Sequence, residues 1–157
     1  VYYTIGTGVG GGAMIGGKLV HGLVHPEMGH MLLRPDPRDP APHGFCPYHD
    51  GCLEGMANGP AIEKRWGISA KELPEDHVAW DIEAEYLAQM CVNTIVTLSP
   101  KKIVLGGGVS GAGQFLLDAV RTKMESMVFY KGMDYAKIEL AVLGNDAGII
   151  GAAMLGK

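Results

Sequence analysis

The stretch HGFCPYHDGCLEG, residues 43–55, holds two of the chain's three cysteines and two of its six histidines. Within it Cys46, His49 and Cys52 are spaced C-x2-H-x2-C in a segment that reads as loop. Thiolate and imidazole are the ligands zinc prefers, and a structural zinc takes four of them in a tetrahedron. The fourth must come from elsewhere: His30 is the first candidate, with His25 and His43 as competitors. The alternative is a pair of free thiols among solvated histidines. A structural metal would pin down a loop that has no core of its own. Cys91 falls on the apolar face of a helical pattern and is expected in the core.

Glu54 stands two residues after Cys52, and Glu27 three before His30. If His30 and Cys52 share an ion, both carboxylates are carried to one neighbourhood, where they can accept hydrogen bonds from the hydroxyls of a polyol. Taken singly, each would read as an exposed glutamate.

Glycine is the compositional outlier, 24 of 157 residues, concentrated near the start and near residue 107. Gly6-x-Gly8-x-x-Gly11 matches a dinucleotide fingerprint as a string, but the fingerprint needs a helix to follow and here a strand follows. A glycine-rich turn bearing Thr7 still offers backbone N–H groups and a hydroxyl to a phosphate; a plain glycine hairpin is the other reading. Gly106-x-Gly108-x-x-Gly111 matches in context, with IVL as a strand before it and QFLLDAV as a helix after it. Its helix start would favour an anion. The acid expected about 20 residues on is missing, because the next strand begins late and its first acid, Glu139, lies inside it. No GxxxxGK[ST] phosphate loop occurs.

The elements that must position these residues alternate. VYYTI (1–5) is a strand, and the turn after it leads to a second strand near KLV (18–20), a hairpin. Residues 25–55 are loop, with RPDPRDPAP (34–42) too proline-rich for regular structure. A short helix covers Pro60–Trp66 with Pro60 in its first turn. The longest helical pattern runs from His77 to Leu98, with Val78, Ile82, Tyr86, Met90 and Ile95 at helical spacing and Ser99-Pro100 as its stop. Strand, glycine turn and helix follow from Lys101, then a strand over KIELAVLG (137–144) and an apolar helix over AGIIGAAML (147–155). Strands alternating with helices define an α/β class.

Composition narrows the partners. A net charge of −4 and a pI near 5.8, with no basic stripe, argue against nucleic acid. No run of about 18 apolar residues is present to span a membrane. Three cysteines, two of them clustered, do not form a disulfide framework and suit a reduced, cytoplasmic setting. The chain opens without Met inside a strand-like VYYTIG, which reads as a piece of a larger protein.

Together these residues resemble the ROK family (repressors, open reading frames and sugar kinases), and within it the bacterial fructokinases. GTGVGGG is similar to that family's second phosphate motif, HPEMGH with CPYHDGCLEG to its sugar-and-zinc signature, and LGGGVSGAG to its adenosine motif. The resemblance implies an actin-like ATPase (ribonuclease H-like) fold of two α/β lobes, with ATP and sugar in the cleft between them. This chain would be the C-terminal lobe, residues 1–157, with a zinc and sugar loop at 25–55 and the N-terminal lobe lacking. The implied zinc ligands are His30, Cys46, His49 and Cys52, and the implied sugar contacts are Glu27, His30 and Glu54. Gly6, Thr7 and Gly8 would face the terminal phosphates. Pro60 and Gly107, Gly108, Val109, Ser110, Gly111 and Ala112 would border the adenosine, and Mg2+ would accompany the ATP.

The resemblance also implies a homodimer. One departure matters: the family's D-x-G-G-T motif and its Asn-Asp pair, which holds the general base, do not occur here. Asp50, Asp81, Asp134 and Asp146 lack that context, so no catalytic residue is assigned, and the fragment alone is expected to be inactive. Two other readings stay open: the sugar-sensing part of a ROK repressor, which shares the metal and sugar motifs, and a zinc-stabilised oligomerisation domain. A kinase for another hexose (glucose, mannose or N-acetylmannosamine) is the variant of the first.

Overall fold

The computed structural model describes residues 1–128, 136–144 and 146–155. Its central sheet has four strands in the order β2-β1-β5-β6, formed by Tyr2–Ile5 (β1), Val9–Gly12 (β2), Lys102–Gly106 (β5) and Lys137–Leu140 (β6). β1 runs antiparallel to β2 and parallel to β5, which runs parallel to β6. A separate small hairpin joins Met14–Ile15 (β3) to Lys18–Leu19 (β4).

The partner of β1 is therefore not KLV but Val9–Gly12, inside the glycine run itself. Tyr3 lies opposite Gly11 in the register, and a Cβ at Gly11 would sit 2.9 Å from the Tyr3 ring. The strand needs glycine there because the ring fills the space a side chain would take. KLV instead closes the second hairpin, whose Met14, Ile15 and Leu19 stay exposed.

The helices are Leu53–Ala57 (α1), Gly59–Trp66 (α2), Val78–Leu98 (α3), Gln114–Met127 (α4) and Asp146–Leu155 (α5). α2 starts at Asn58, whose side chain accepts from Ala61 N at 2.7 Å, with Pro60 in the first turn. α3 starts at His77, whose Nδ1 accepts from Ala79 N at 3.1 Å. It ends at Ser99, held left-handed at φ 45° before Pro100. Ile82, Tyr86, Met90, Cys91 and Ile95 are buried along α3 as their spacing predicts, while Val78, in its first turn, is exposed. α3 packs on α4, and α4 on β6. Across the core the Tyr3 hydroxyl meets Thr94 Oγ1 at 2.8 Å, joining sheet to helix.

β6 is shorter than the predicted 137–144. Its pairing with β5 ends at Leu140 opposite Leu105, and the chain turns over 141–144. β5 itself leaves the sheet at Gly106, so no partner remains for a longer strand. α5 forms over the predicted apolar segment, with Ile149 and Met154 exposed.

Candidate metal and nucleotide site

His30 is brought to the cysteines by the short 3-10 turn Met28–His30, which lies directly on β2. A Cβ at Gly29 would collide with the Val9 carbonyl oxygen, so only glycine lets the turn approach this closely. Cys52 caps α1, its Sγ accepting from Gly55 N at 3.5 Å. Leu32 bridges to Cys52, and Leu53 N donates to Met31 O at 2.8 Å, fixing the two ligand-bearing segments side by side.

The ligand atoms of His30, Cys46, His49 and Cys52 all lie within 4.8 Å of one another. His30 Nδ1 is 3.8 Å from Cys46 Sγ and 3.7 Å from Cys52 Sγ, and His49 Nδ1 is 3.7 Å from Cys46 Sγ. A tetrahedral zinc with bonds of about 2.3 Å to sulfur and about 2.0 Å to nitrogen puts neighbouring ligand atoms roughly 3.6 Å apart. One ring nitrogen carries at most one proton, so His30 Nδ1 cannot donate to both sulfurs. A shared cation satisfies all four groups. Burial, reinforced by the neighbouring Cys46, pushes the Cys52 thiol pKa up; a bound cation reverses that and holds both sulfurs as thiolates. The residues therefore fit a structural zinc. Of the competing ligands, His43 faces Asp50 at 3.5 Å and His25 lies against His21.

Coordination through Nδ1 leaves His30 Nε2 free, and it faces Glu54 Oε1 at 4.0 Å. The other oxygen, Oε2, accepts from Val9 N at 2.9 Å. Glu54 thus stands between the metal ligands and the Gly6–Gly8 turn. The structure brings Glu54 to His30 but not Glu27 in the same way. Glu27 is exposed, and its side chain makes no hydrogen bond or ion pair among the described residues; its carbonyl accepts from His30 N at 3.0 Å.

The two glycine clusters converge. Gly59 N donates to Gly6 O at 2.8 Å, which sets the start of α2, with Pro60, against the first turn. A Cβ on Gly6 would be 3.8 Å from Gly108 N. Gly107 holds φ +87°, and a Cβ there would lie 2.5 Å from the Ile5 carbonyl oxygen. Thr7 is exposed at the tip of the turn. Within the second cluster Gly108, Gly111 and Ala112 line a cleft of about 370 Å³ with Lys71, Leu73, Trp80 and Phe115. Val109 and Ser110 turn inward instead: Val109 is in the core, and the buried Ser110 hydroxyl donates to Gly106 O at 2.8 Å. Their role in this geometry is to shape the turn.

The four aspartates differ in surroundings. Asp81 pairs with Arg38 at 2.6 Å and Lys123 at 2.9 Å, and hydrogen bonds from these two cations lower its pKa. Asp50 pairs with His43, Asp146 is exposed at the start of α5, and Asp134 lies outside the described residues.

Sequence reasoning missed the 70–80 wall of the cleft and a buried charge cluster on Arg65. Neither has a local signal: Lys71 and Leu73 belong to no motif, and Arg65 reads as an ordinary helix-surface cation.

A mixed sheet with a glycine turn at two neighbouring strand ends, beside a four-ligand Cys/His loop, defines an α/β lobe of the actin-like ATPase type. The ROK family pattern matches residues 1–157, and the chain belongs to that family. It is 45% identical over 159 residues to a fructokinase of Zymomonas mobilis, covering 99% of this chain and 53% of that protein. A glucokinase of Halalkalibacterium halodurans is 32% identical, covering 98% of this chain and 54% of that protein. The crystal structure of a ROK glucokinase from Streptomyces griseus in complex with glucose and AMPPNP superposes with a TM-score of 0.76 at 26% identity, covering 98% of this chain and 59% of that one. The chain spans about half the length of the curated relatives it matches.

Proposed function

We propose that this chain is the C-terminal lobe of a fructokinase, which transfers the terminal phosphate of ATP to fructose to give fructose 6-phosphate. The observation that carries the reading is Glu54, one carboxylate that lies 4.0 Å from His30 Nε2 and accepts from Val9 N, the residue directly after the Gly6–Gly8 turn. A group in that position can hold a sugar hydroxyl within reach of a phosphate on the turn, and positioning with charge stabilisation supplies most of the rate in phosphoryl transfer. Identity to a relative named fructokinase, well above that to one named glucokinase, supports fructose over glucose.

In this reading zinc on His30, Cys46, His49 and Cys52 is structural and fixes the imidazole of His30 so that Nε2 meets the sugar. Glu27 and Glu54 accept from sugar hydroxyls. Thr7, with Gly6 and Gly8, faces the Mg2+-bound phosphates, and Pro60 with Gly107, Gly108, Gly111 and Ala112 borders the adenosine on a turn that Val109 and Ser110 shape. The general base comes from the part of the protein outside this chain, and the enzyme works in the cytoplasm as a homodimer. No helix among the described residues is long and apolar enough to cross a membrane.

ADP release by the full-length protein, with ATP, magnesium and a panel of fructose, glucose, mannose and N-acetylmannosamine, tests the proposal. Turnover favouring fructose is expected. Turnover favouring another sugar keeps the kinase and moves the substrate, while no turnover from folded, zinc-loaded protein removes the kinase reading in favour of a sugar sensor.

A further inference from the structure

Residues 31–52 reach the metal ligands with no helix or strand of their own, apart from one bridge at Leu32 and Cys52. Yet one side chain of this stretch, that of Asp39, is as buried as any in the core. Asp39 is 0% exposed at its side chain and pairs with Arg65, 1% exposed, at 2.6 Å between Oδ1 and Nε. That N–H is not aimed along the contact, so the approach is an ion pair rather than a hydrogen bond. The other Asp39 oxygen accepts from the Tyr86 hydroxyl at 2.5 Å.

From this seat on α2 the Arg65 guanidinium makes two more contacts. Nη1 donates to Met56 O at 3.1 Å, four residues beyond Cys52. Its carbon lies 5.7 Å from the ring centre of Phe45, the neighbour of Cys46. Phe45 N in turn donates to Gly55 O at 2.9 Å. One buried cation thus touches the chain before Cys46, beside Cys46 and after Cys52. Arg38, by contrast, is half exposed, pairs with Asp36 within the loop and ties it to Asp81 on α3, touching no residue beside or between the cysteines.

We infer that Arg65 is a positioning residue for the metal centre, holding the two cysteine-bearing segments at ligand spacing and so setting how tightly the ion is bound. The inference rests on the zinc reading above. Its physical basis is preorganisation. Ligands on an irregular loop lose conformational freedom when they close on an ion, and any order imposed beforehand is order the ion need not impose. The contacts of Arg65 with Asp39, Met56 and Phe45 involve none of the four ligand atoms, so they order both segments independently of the ion. Lysine cannot replace arginine here, because a point charge can serve Asp39 but lacks the planar fork that reaches Met56 O while lying over the Phe45 ring.

The test is the zinc dissociation constant of the full-length protein, by competition with a colorimetric chelator, with the melting temperature of each zinc-free variant measured alongside. Arg65→Lys is expected to weaken zinc about 10- to 100-fold, the range for groups that orient metal ligands. Phe45→Leu, which leaves the buried pair intact, is expected to weaken it about two- to fivefold through loss of the cation–ring contact. Arg38→Met serves as the contrast: a lower zinc-free melting temperature with zinc affinity unchanged. Unchanged zinc affinity in Arg65→Lys, or an equal loss in Arg38→Met, overturns the inference. If Arg65→Lys does not fold, Phe45→Leu decides alone, and an unchanged constant there overturns it. A wild-type protein that binds no zinc is a separate outcome, which removes the metal reading itself.

Discussion

The metal loop and the glycine turns face the same region but are held by different means. The loop over 31–52 has almost no backbone ladder, and its Cys/His donors are placed by a buried Asp39–Arg65 pair and short hydrogen bonds to α1. The turns at Gly6–Gly8 and Gly106–Gly108 close the ends of paired strands, and sheet register places them. The first region therefore depends on particular side chains. The second depends on the absence of side chains. Glu54 and α2 are where the two meet: Glu54 touches the first turn from the metal side, and α2 carries Gly59 at one end and Arg65 at the other.

Zinc removal should break the comparison most severely. Structural zinc carries apparent binding free energies of about 10–16 kcal/mol in small domains. Stripping it with a chelator, or substituting Cys52→Ser, should lower the melting temperature by many degrees in calorimetry. The change should fall on 25–55, as hydrogen exchange would locate it, and protection in β1, β5 and α3 should persist. Equal loss of protection in the sheet would mean that the two regions are one cooperative unit.

Gly107→Ala should break the other side. A side chain at φ +87° costs on the order of 1–3 kcal/mol from backbone strain alone, and contact with the Ile5 carbonyl adds to it. Calorimetric titration should show weaker ADP binding by the full-length protein while its zinc content stays at one equivalent. Zinc loss in this variant would count against separate determinants.

A smaller effect belongs to Glu83, on α3 beneath the charge cluster. Burial, with Asp39 adding to it and Arg65 opposing, raises its carboxyl well above the ordinary value of 4.5. The folded protein then keeps a proton that the unfolded chain releases above that value, so Glu83 costs stability as pH rises, about 1.4 kcal/mol per unit until the folded group titrates. Glu83→Gln mimics the neutral form. Its stability should match wild type near pH 4 and exceed it increasingly toward pH 8; a constant difference across that range would show that Glu83 is ionised in the fold.

The smallest readout concerns thiols. Burial pushes the Cys91 thiol to about 12 and raises that of the buried Cys52, so after chelation the partly exposed Cys46 should react with a thiol reagent first, ahead of Cys52 and Cys91. Rapid labelling of Cys91 in folded protein would place it outside the core.

Local patterns made much of this molecule legible. α3 follows from apolar residues at helical spacing with Ser99-Pro100 as the stop, and α2 from Pro60 in its first turn. The cysteine spacing named three ligands and ranked His30 as the fourth. The pairing of β1 was misread because Val9–Gly12 has almost no side chains to show a strand pattern, and its register comes from the Tyr3 ring lying over Gly11.

What the sequence determined by itself is whatever depends on neighbours along the chain: helix stops, three of the four candidate metal donors, and the positions where backbone must pass without a side chain. Tertiary structure alone decided the rest. It joined Glu54 to Val9, 45 residues apart, turned Val109 and Ser110 inward, and buried Arg65 against Asp39. The reason is physical. Helix caps and turns are satisfied within a few residues, whereas the cost of burying a charge or closing a cleft is offset only by groups that the fold brings from far along the chain.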